Sequence, residues 1–212
     1  MTEQLARYRS VERAAEIEWE EKKSRFIGLC RPLDDADDAE AFVRECRERW
    51  PDATHHVYAW VLTLGQRLQR YSDDGEPQGT AGMPVLDVLR KNAIDQAGIV
   101  VVRYFGGIKL GGGGLVRAYG HSASLALEAA RPITWTMYRL FRVTASYADA
   151  ERVRYQLDVE GYTQYEPEYT ASVAWDVAVT PAAEELFAQR VRDLTSDRAD
   201  LRRGGKKYLP ET

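Results

Sequence analysis

The spacing of apolar residues changes several times along the chain, and each change marks an element. Val11 to Glu20 and Ser24 to Arg31 have strand composition and are separated by the charged run Glu20-Glu21-Lys22-Lys23. From Asp35 to Trp50 the positions Ala39, Phe42, Val43 and Cys46 fall on one face of a helix, which Pro51 ends. A strand follows over 55–64, then a turn at Gly65-Gln66 and a second strand over 67–71. The segment YSDDGEPQGTAGMP (71–84) is dense in turn formers. Pro84 suits the first position of a helix that buries Leu86, Leu89, Ala93 and Ala97 and stops at Gly98. Ile99 to Phe105 is apolar almost throughout, as in a central strand. A helix over 115–130 places Leu115, Ala118, Tyr119, Ser122, Leu125 and Ala129 on one face.

After Pro132 the pattern resets. A strand is predicted over 138–146 and a helix over 149–160, with Val153 and Leu157 inward and Gly161 as its stop. Strands follow over 162–166 and 170–179. Thr180 and Pro181 open a helix that buries Ala183, Leu186, Phe187, Val191 and Leu194. A last strand lies around 207–209. The order β-α-β-β-α-β is the ferredoxin-like pattern. The expectation is two α+β domains, residues 1–134 and 135–212.

Composition narrows the function classes. With 212 residues and a net charge of −4, any anion-binding surface must be local. Cys30 and Cys46 form no C-x-x-C pair, so neither a disulfide framework nor a thiolate zinc site is expected. No stretch approaches the ~18 apolar residues of a membrane span, and Met1 to Ser10 has no apolar signal core. These features predict a cytoplasmic protein with reduced thiols, no membrane association and no cofactor.

Candidate chemistry concentrates in two places. Six of the nine residues from Gly106 to Gly114 are glycine. This loop joins the central strand to a helix, where free N–H groups and the helix dipole favour an anion. Arg103, Lys109 and Arg117 give residues 96–127 a net charge of +3, because no Asp or Glu occurs there. The candidate anion-binding set is Arg103, Gly106, Gly107, Lys109, Gly111, Gly113, Gly114 and Arg117, with phosphate as the obvious anion. The dinucleotide fingerprint and the P-loop both fail in register, since Lys109 is followed by Leu110. A tightly packed strand–helix turn remains the alternative. The second place is SDDGEPQGTAG (72–82), where Asp73, Asp74 and Glu76 are candidate acid/base groups or magnesium ligands. The same residues also suit a hydrogen-bonded Asp-Gly turn. Gly79 to Gly82 offers a second anion nest before a helix.

His55 and His56 are adjacent on a strand, so they point to opposite faces and do not share a metal. His55 is a candidate donor or proton shuttle. Arg198, Arg202, Arg203, Lys206 and Lys207 form a basic tail that suits either nucleic acid or solvent. Tyr147, Tyr155, Tyr162, Tyr165, Tyr169 and Trp175 suit either base stacking or core packing.

KKSRFIG (22–28), ATHHVYAW (53–60), YSDDGEPQGTAGMP (71–84) and VVVRYFGGIKLGGGGLVRAYG (100–120) together resemble the YigZ/Impact family. The resemblance covers most of residues 1–130. It implies an N-terminal fold like the second domain of ribosomal protein S5, shared with domain IV of elongation factor G. It implies a ferredoxin-like C-terminal domain similar to domain V of that factor. Val57 stands where a Cys often follows the His pair, so the resemblance carries no thiol to that position. Eukaryotic Impact is a translational regulator acting through a protein partner. The resemblance therefore implies a translation-linked regulatory protein that binds RNA, a ribosome or a protein partner through the glycine-rich surface. An enzyme acting on a small phosphorylated or nucleotide substrate, with Asp73, Asp74 and Glu76 in the roles above, is the alternative.

Overall fold

The computed structural model describes residues 6–64 and 67–211. The expected turn at Gly65-Gln66 lies outside them. The chain divides into two compact units, residues 1–135 with 210–212 and residues 136–209.

In the first unit, β1 (Arg7–Val11) precedes β2 (Ala15–Glu21), β3 (Ser24–Pro32), α1 (Ala36–Arg49), β4 (His55–Leu62) and β5 (Leu68–Ser72). α2 (Gly82–Lys91), β6 (Ala97–Tyr104) and α3 (Gly112–Ala129) complete it. Five strands form a sheet in the order β2-β3-β6-β4-β5, all adjacent pairs antiparallel. β6 is central, as its apolar run predicts. The sheet carries a core on each face. On one, Phe42, Val43 and Cys46 of α1 pack with Ile27, Trp60 and Val102. On the other, Val85 and Leu89 of α2 and Ala118, Tyr119 and Ala123 of α3 pack with Phe26, Ala59 and Val101. Burying both faces explains why β6 shows no alternation.

Several boundaries differ from the sequence reading. The strand expected over 11–20 is broken, because the Glu12 N–H donates to the carbonyls of Ala130 and Arg131 and turns the chain between β1 and β2. α2 ends at Lys91, where the Asn92 side chain donates to the Val88 carbonyl and Ala93 turns left-handed at φ 52°. Ala93 is therefore exposed, and Ala97 and Gly98 belong to β6. α2 starts at Gly82, which makes Pro84 its third residue rather than its first.

The second unit contains the rest of β7 (Pro132–Ala145), then α4 (Tyr147–Val159), β8 (Thr163–Gln164) and β9 (Glu168–Tyr169). β10 (Val173–Val179), α5 (Glu184–Thr195) and β11 (Asp200–Pro210) follow. The strand order β11-β7-β10-β8, with β9 also pairing β10, is the ferredoxin-like arrangement. Val153 and Leu157 of α4 and Phe187 and Val191 of α5 cover Val143, Trp175 and Val177. Pro181 sits in a single 3-10 turn ahead of α5 and Thr180 makes no side-chain cap. Leu186 faces solvent, against expectation.

Candidate functional site: a cleft between the glycine loop and the acidic turn

The sheet register brings the first site residues together. Arg103 of β6 lies opposite Phe26 of β3 and opposite His55 of β4. Direct cross-strand partners share a face, and this is the face covered by α2 and α3. Arg103 is buried, with its guanidinium 5.4 Å from the Phe26 ring centroid and 5.5 Å from that of Phe105. Its Nη1 donates to Glu76 Oε1 at 2.5 Å and its Nη2 to Ser24 Oγ at 3.2 Å. Both side chains of the Arg103–Glu76 pair are about 5% exposed or less. Expecting Arg103 to neutralise a ligand phosphate therefore needs correcting: its charge is already matched by a buried carboxylate. The local excess of positive charge at the surface reduces to Lys109 and Arg117.

The acidic turn divides its three carboxylates between different tasks. Asp73 accepts from the N–H groups of Gly79, Ala81 and Gly82 at 2.8, 3.0 and 2.8 Å. It thus fills the nest before α2 that sequence offered to an external anion. Asp74 accepts from the His56 backbone N–H at 2.6 Å and pairs with Arg47 at 2.9 Å. Both act on the fold. Of the two uses the sequence left open for this turn, Asp73 and Asp74 have their carboxylates in backbone hydrogen bonds rather than turned into the cleft as acid/base groups or magnesium ligands. Among the described residues, no group of three or more His, Cys, Asp or Glu side chains is placed to hold a metal ion.

Glu76 alone turns into the site. Its Oε1 accepts from Tyr119 Oη at 2.7 Å as well as from Arg103, and His55 Nε2 lies 3.7 Å away. The His55 Nδ1 donates to the Asp74 carbonyl at 2.8 Å, which fixes the tautomer and leaves Nε2 toward Glu76. His56 points the other way and donates from Nε2 to the Trp50 carbonyl at 3.0 Å. Burial, reinforced by the Glu76 carboxylate, pushes the Tyr119 phenol far above its ordinary pKa, so it stays a hydrogen-bond donor.

The glycine loop closes the cleft. Its start is pinned: the Phe105 N–H donates to Thr54 Oγ1 and the Gly106 N–H to Ser24 Oγ. A Cβ at Gly106 would lie 1.9 Å from the Lys23 carbonyl oxygen, so only glycine fits. Gly107 and Lys109 continue the loop to Gly111, which takes φ 73° as the N-cap of α3. Gly113 and Gly114 lie in the first turn of α3, earlier than the predicted start at Leu115. Among the described residues this helix start has no side-chain cap and no acid in its first turn. Thr54, His55, Glu76, Pro77, Arg103, Phe105, Lys109, Leu110, Gly111, Gly112 and Leu115 line a cleft of about 390 Å³. Arg117 lies one turn along α3, near Gly113, and does not line it.

Sequence reasoning placed Thr54, Phe105, Ser24 and Tyr119 in the motifs that carry the family resemblance but did not assign them to this site. Tyr119 had a signal, since a phenol on an otherwise apolar helix face needs a buried partner. The Ser24 and Thr54 contacts depend on register and had none. The basic tail is largely committed within its own unit. Arg198 pairs with Asp149, Arg202 with Asp200 and Arg203 with Glu184. The Lys207 ammonium lies over the Tyr165 ring. Both cysteines are free and buried, and burial pushes each thiol up to about 12. No helix among the described residues is long and apolar enough to cross a membrane.

A family model described as the Impact N-terminal domain matches residues 22–127, and a domain of unknown function, DUF1949, matches residues 143–198. The chain is 34% identical over 205 residues to the Impact family member YvyE of Bacillus subtilis, covering 97% of this chain and 94% of that protein. It is 37% identical over 190 residues to the Impact family member YigZ of Escherichia coli, covering 89% and 90%. A crystal structure of a protein described as hypothetical matches with a TM-score of 0.62 at 33% identity, over 93% of this chain and 97% of that one.

Proposed function

The chain belongs to the Impact family, and we propose that it is a translation-linked regulator that binds single-stranded RNA at the cleft of its Impact-type domain. One observation carries the reading: an open helix start, a lysine and an exposed aromatic ring border one cleft. The α3 N-terminus and Lys109 suit a phosphate. Phe105, 47% exposed at the same cleft, suits a stacked base. Glu76 adds no net repulsion, because Arg103 matches it. Arg117 extends the cationic track along α3. The cleft volume fits about one nucleotide unit.

Anisotropy titration of a labelled single-stranded oligoribonucleotide across salt concentrations tests this. Affinity is expected to fall with salt by about 0.7 log units per log unit for each phosphate neutralised. The Lys109→Ala/Arg117→Ala double variant should bind more weakly and with a shallower slope. Equal affinity and slope for wild type and double variant would defeat the reading.

A second reading rests on a different observation, the approach of His55 Nε2 to Glu76 inside the same cleft. That pair suits proton transfer to a small phosphorylated or nucleotide substrate held by Lys109 and the α3 start. Thermal-shift screening of nucleotides, with and without magnesium, separates the two. A rise in Tm with a mononucleotide accompanied by its chemical conversion supports the enzyme, a rise without conversion fits the RNA reading, and no shift across the panel removes the enzyme.

A further inference from the structure

The ferredoxin-like unit carries a groove that the nucleic-acid reading does not use. It has a volume of about 620 Å³ and runs between the outer face of α4 and the β8–β9 segment. Three of its lining side chains are tyrosines left in solvent: Tyr147 is 54% exposed, Tyr155 71% and Tyr169 63%. Such rings normally cover a core, and α4 already covers one with Ala150, Val153 and Leu157.

The arrangement is held in place. The Tyr147 and Tyr169 rings stack with centroids 6.2 Å apart at 26°, and Tyr147 Oη donates to the Thr170 carbonyl at 2.7 Å. Gln164, which also lines the groove, donates to the Arg154 carbonyl at 2.9 Å and so ties β8 to α4. Val173 forms part of the apolar floor. Along α4, residues 147, 151, 154, 155 and 158 recur at helical spacing and form one stripe.

Charge selects the occupant. Glu151 and Asp158 line the groove against one cation, Arg154. Among the described residues, neither carboxylate forms an ion pair. Phosphate backbone is disfavoured by that balance. We propose that this groove binds a proline-rich, basic segment of a partner protein in the polyproline II conformation. Proline rings pack flat on tyrosine faces, and the unbonded carbonyls of that helix accept from the hydroxyls of Tyr155 and Tyr169, that of Tyr147 being engaged by Thr170. The length agrees. Tyr147 to Asp158 spans about 17 Å of helix, which matches five or six residues at ~3.1 Å each. Glu151 and Asp158 are about 10 Å apart along the helix axis, close to the ~9 Å repeat of three polyproline II residues. The segment recognised therefore carries two basic side chains three positions apart, one for each carboxylate.

The test is an array of proline-rich dodecamers carrying two arginines at every spacing, read by fluorescence polarisation against the full chain. Each peptide has a partner with glutamate in place of arginine, and a single-stranded dodecanucleotide runs beside them. Saturable binding is expected for basic peptides, strongest at a spacing of three. It should weaken about tenfold or more in Tyr155→Ala and in Tyr169→Ala, and in Glu151→Lys/Asp158→Lys. Tyr155 is so exposed that its variant should keep the wild-type circular dichroism and Tm, which separates loss of binding from loss of fold. No saturable binding anywhere in the array overturns the proposal, as does equal binding of the glutamate peptides. Oligonucleotide binding that Tyr155→Ala weakens reassigns the groove to base stacking.

Discussion

Two helix starts in the first unit meet the same physical demand in opposite ways. α2 begins in a nest whose N–H groups are taken by Asp73, a residue of the chain itself. α3 begins at Gly111 with neither a side-chain cap nor an acid in its first turn. Helix N-termini attract negative charge wherever they occur. At α2 that attraction is spent inside the fold, where it fixes the acidic turn on the helix. At α3 it faces a cleft. A glycine-rich helix start is therefore informative only once the carboxylates nearby are accounted for.

The largest expected effect tests what lies between the two starts. Arg103→Met leaves Glu76 buried without its cation and should cost about 3–5 kcal/mol in urea unfolding. Arg103→Met combined with Glu76→Gln should recover part of that loss. If the single and double variants are equally unstable, the Arg103–Glu76 pair does not hold the acidic turn against the sheet. Next, Asp73→Ala should cost about 1–3 kcal/mol, because three N–H groups lose a charged acceptor. Sulfate should then raise the Tm of this variant by more than it raises that of the wild type, since the vacated nest becomes a second open start beside the one at α3. The reverse change closes α3. Gly113→Asp adds an acid to its first turn, four residues before Arg117, and should stabilise the fold by about 0.3–1 kcal/mol. The same variant should bind RNA more weakly, and unchanged affinity would separate the helix start from the binding surface. Smallest of all, Lys109→Ala should move stability by no more than about 0.5 kcal/mol while still lowering affinity. A substantial Tm drop there would mean that the lysine serves the fold.

The sequence told most where one residue's environment depends on close neighbours. The buried faces of α1 and β6, the glycine loop and its missing acids follow from local spacing. The two histidines pointing apart follow from strand geometry alone, and the structure has His55 at the cleft and His56 under Trp50. What was not legible depends on closure over long separations. Asp73, Asp74 and Glu76 look equivalent in SDDGEP, yet the path of one tight turn sends them to a helix start, a strand backbone and a cleft. Arg103 reads as a free cation until register sets it beside Ser24 and, through the turn, Glu76. The β1–β2 break was hidden because its cause is the carbonyl end of α3, more than a hundred residues away.

The sealed thiols have a practical side. Nucleophilic labelling needs thiolate, and burial that raises Cys30 and Cys46 to about 12 leaves both unreactive at neutral pH. These are the chain's only two cysteines, so the natural sequence is already a silent background for maleimide dyes. A fluorophore attached through Ile108→Cys, exposed beside Lys109, reports on the cleft, and one attached through Ala148→Cys, exposed beside Tyr147, reports on the groove. Neither needs a cysteine-free parent, and the two surfaces can be watched separately in otherwise native protein.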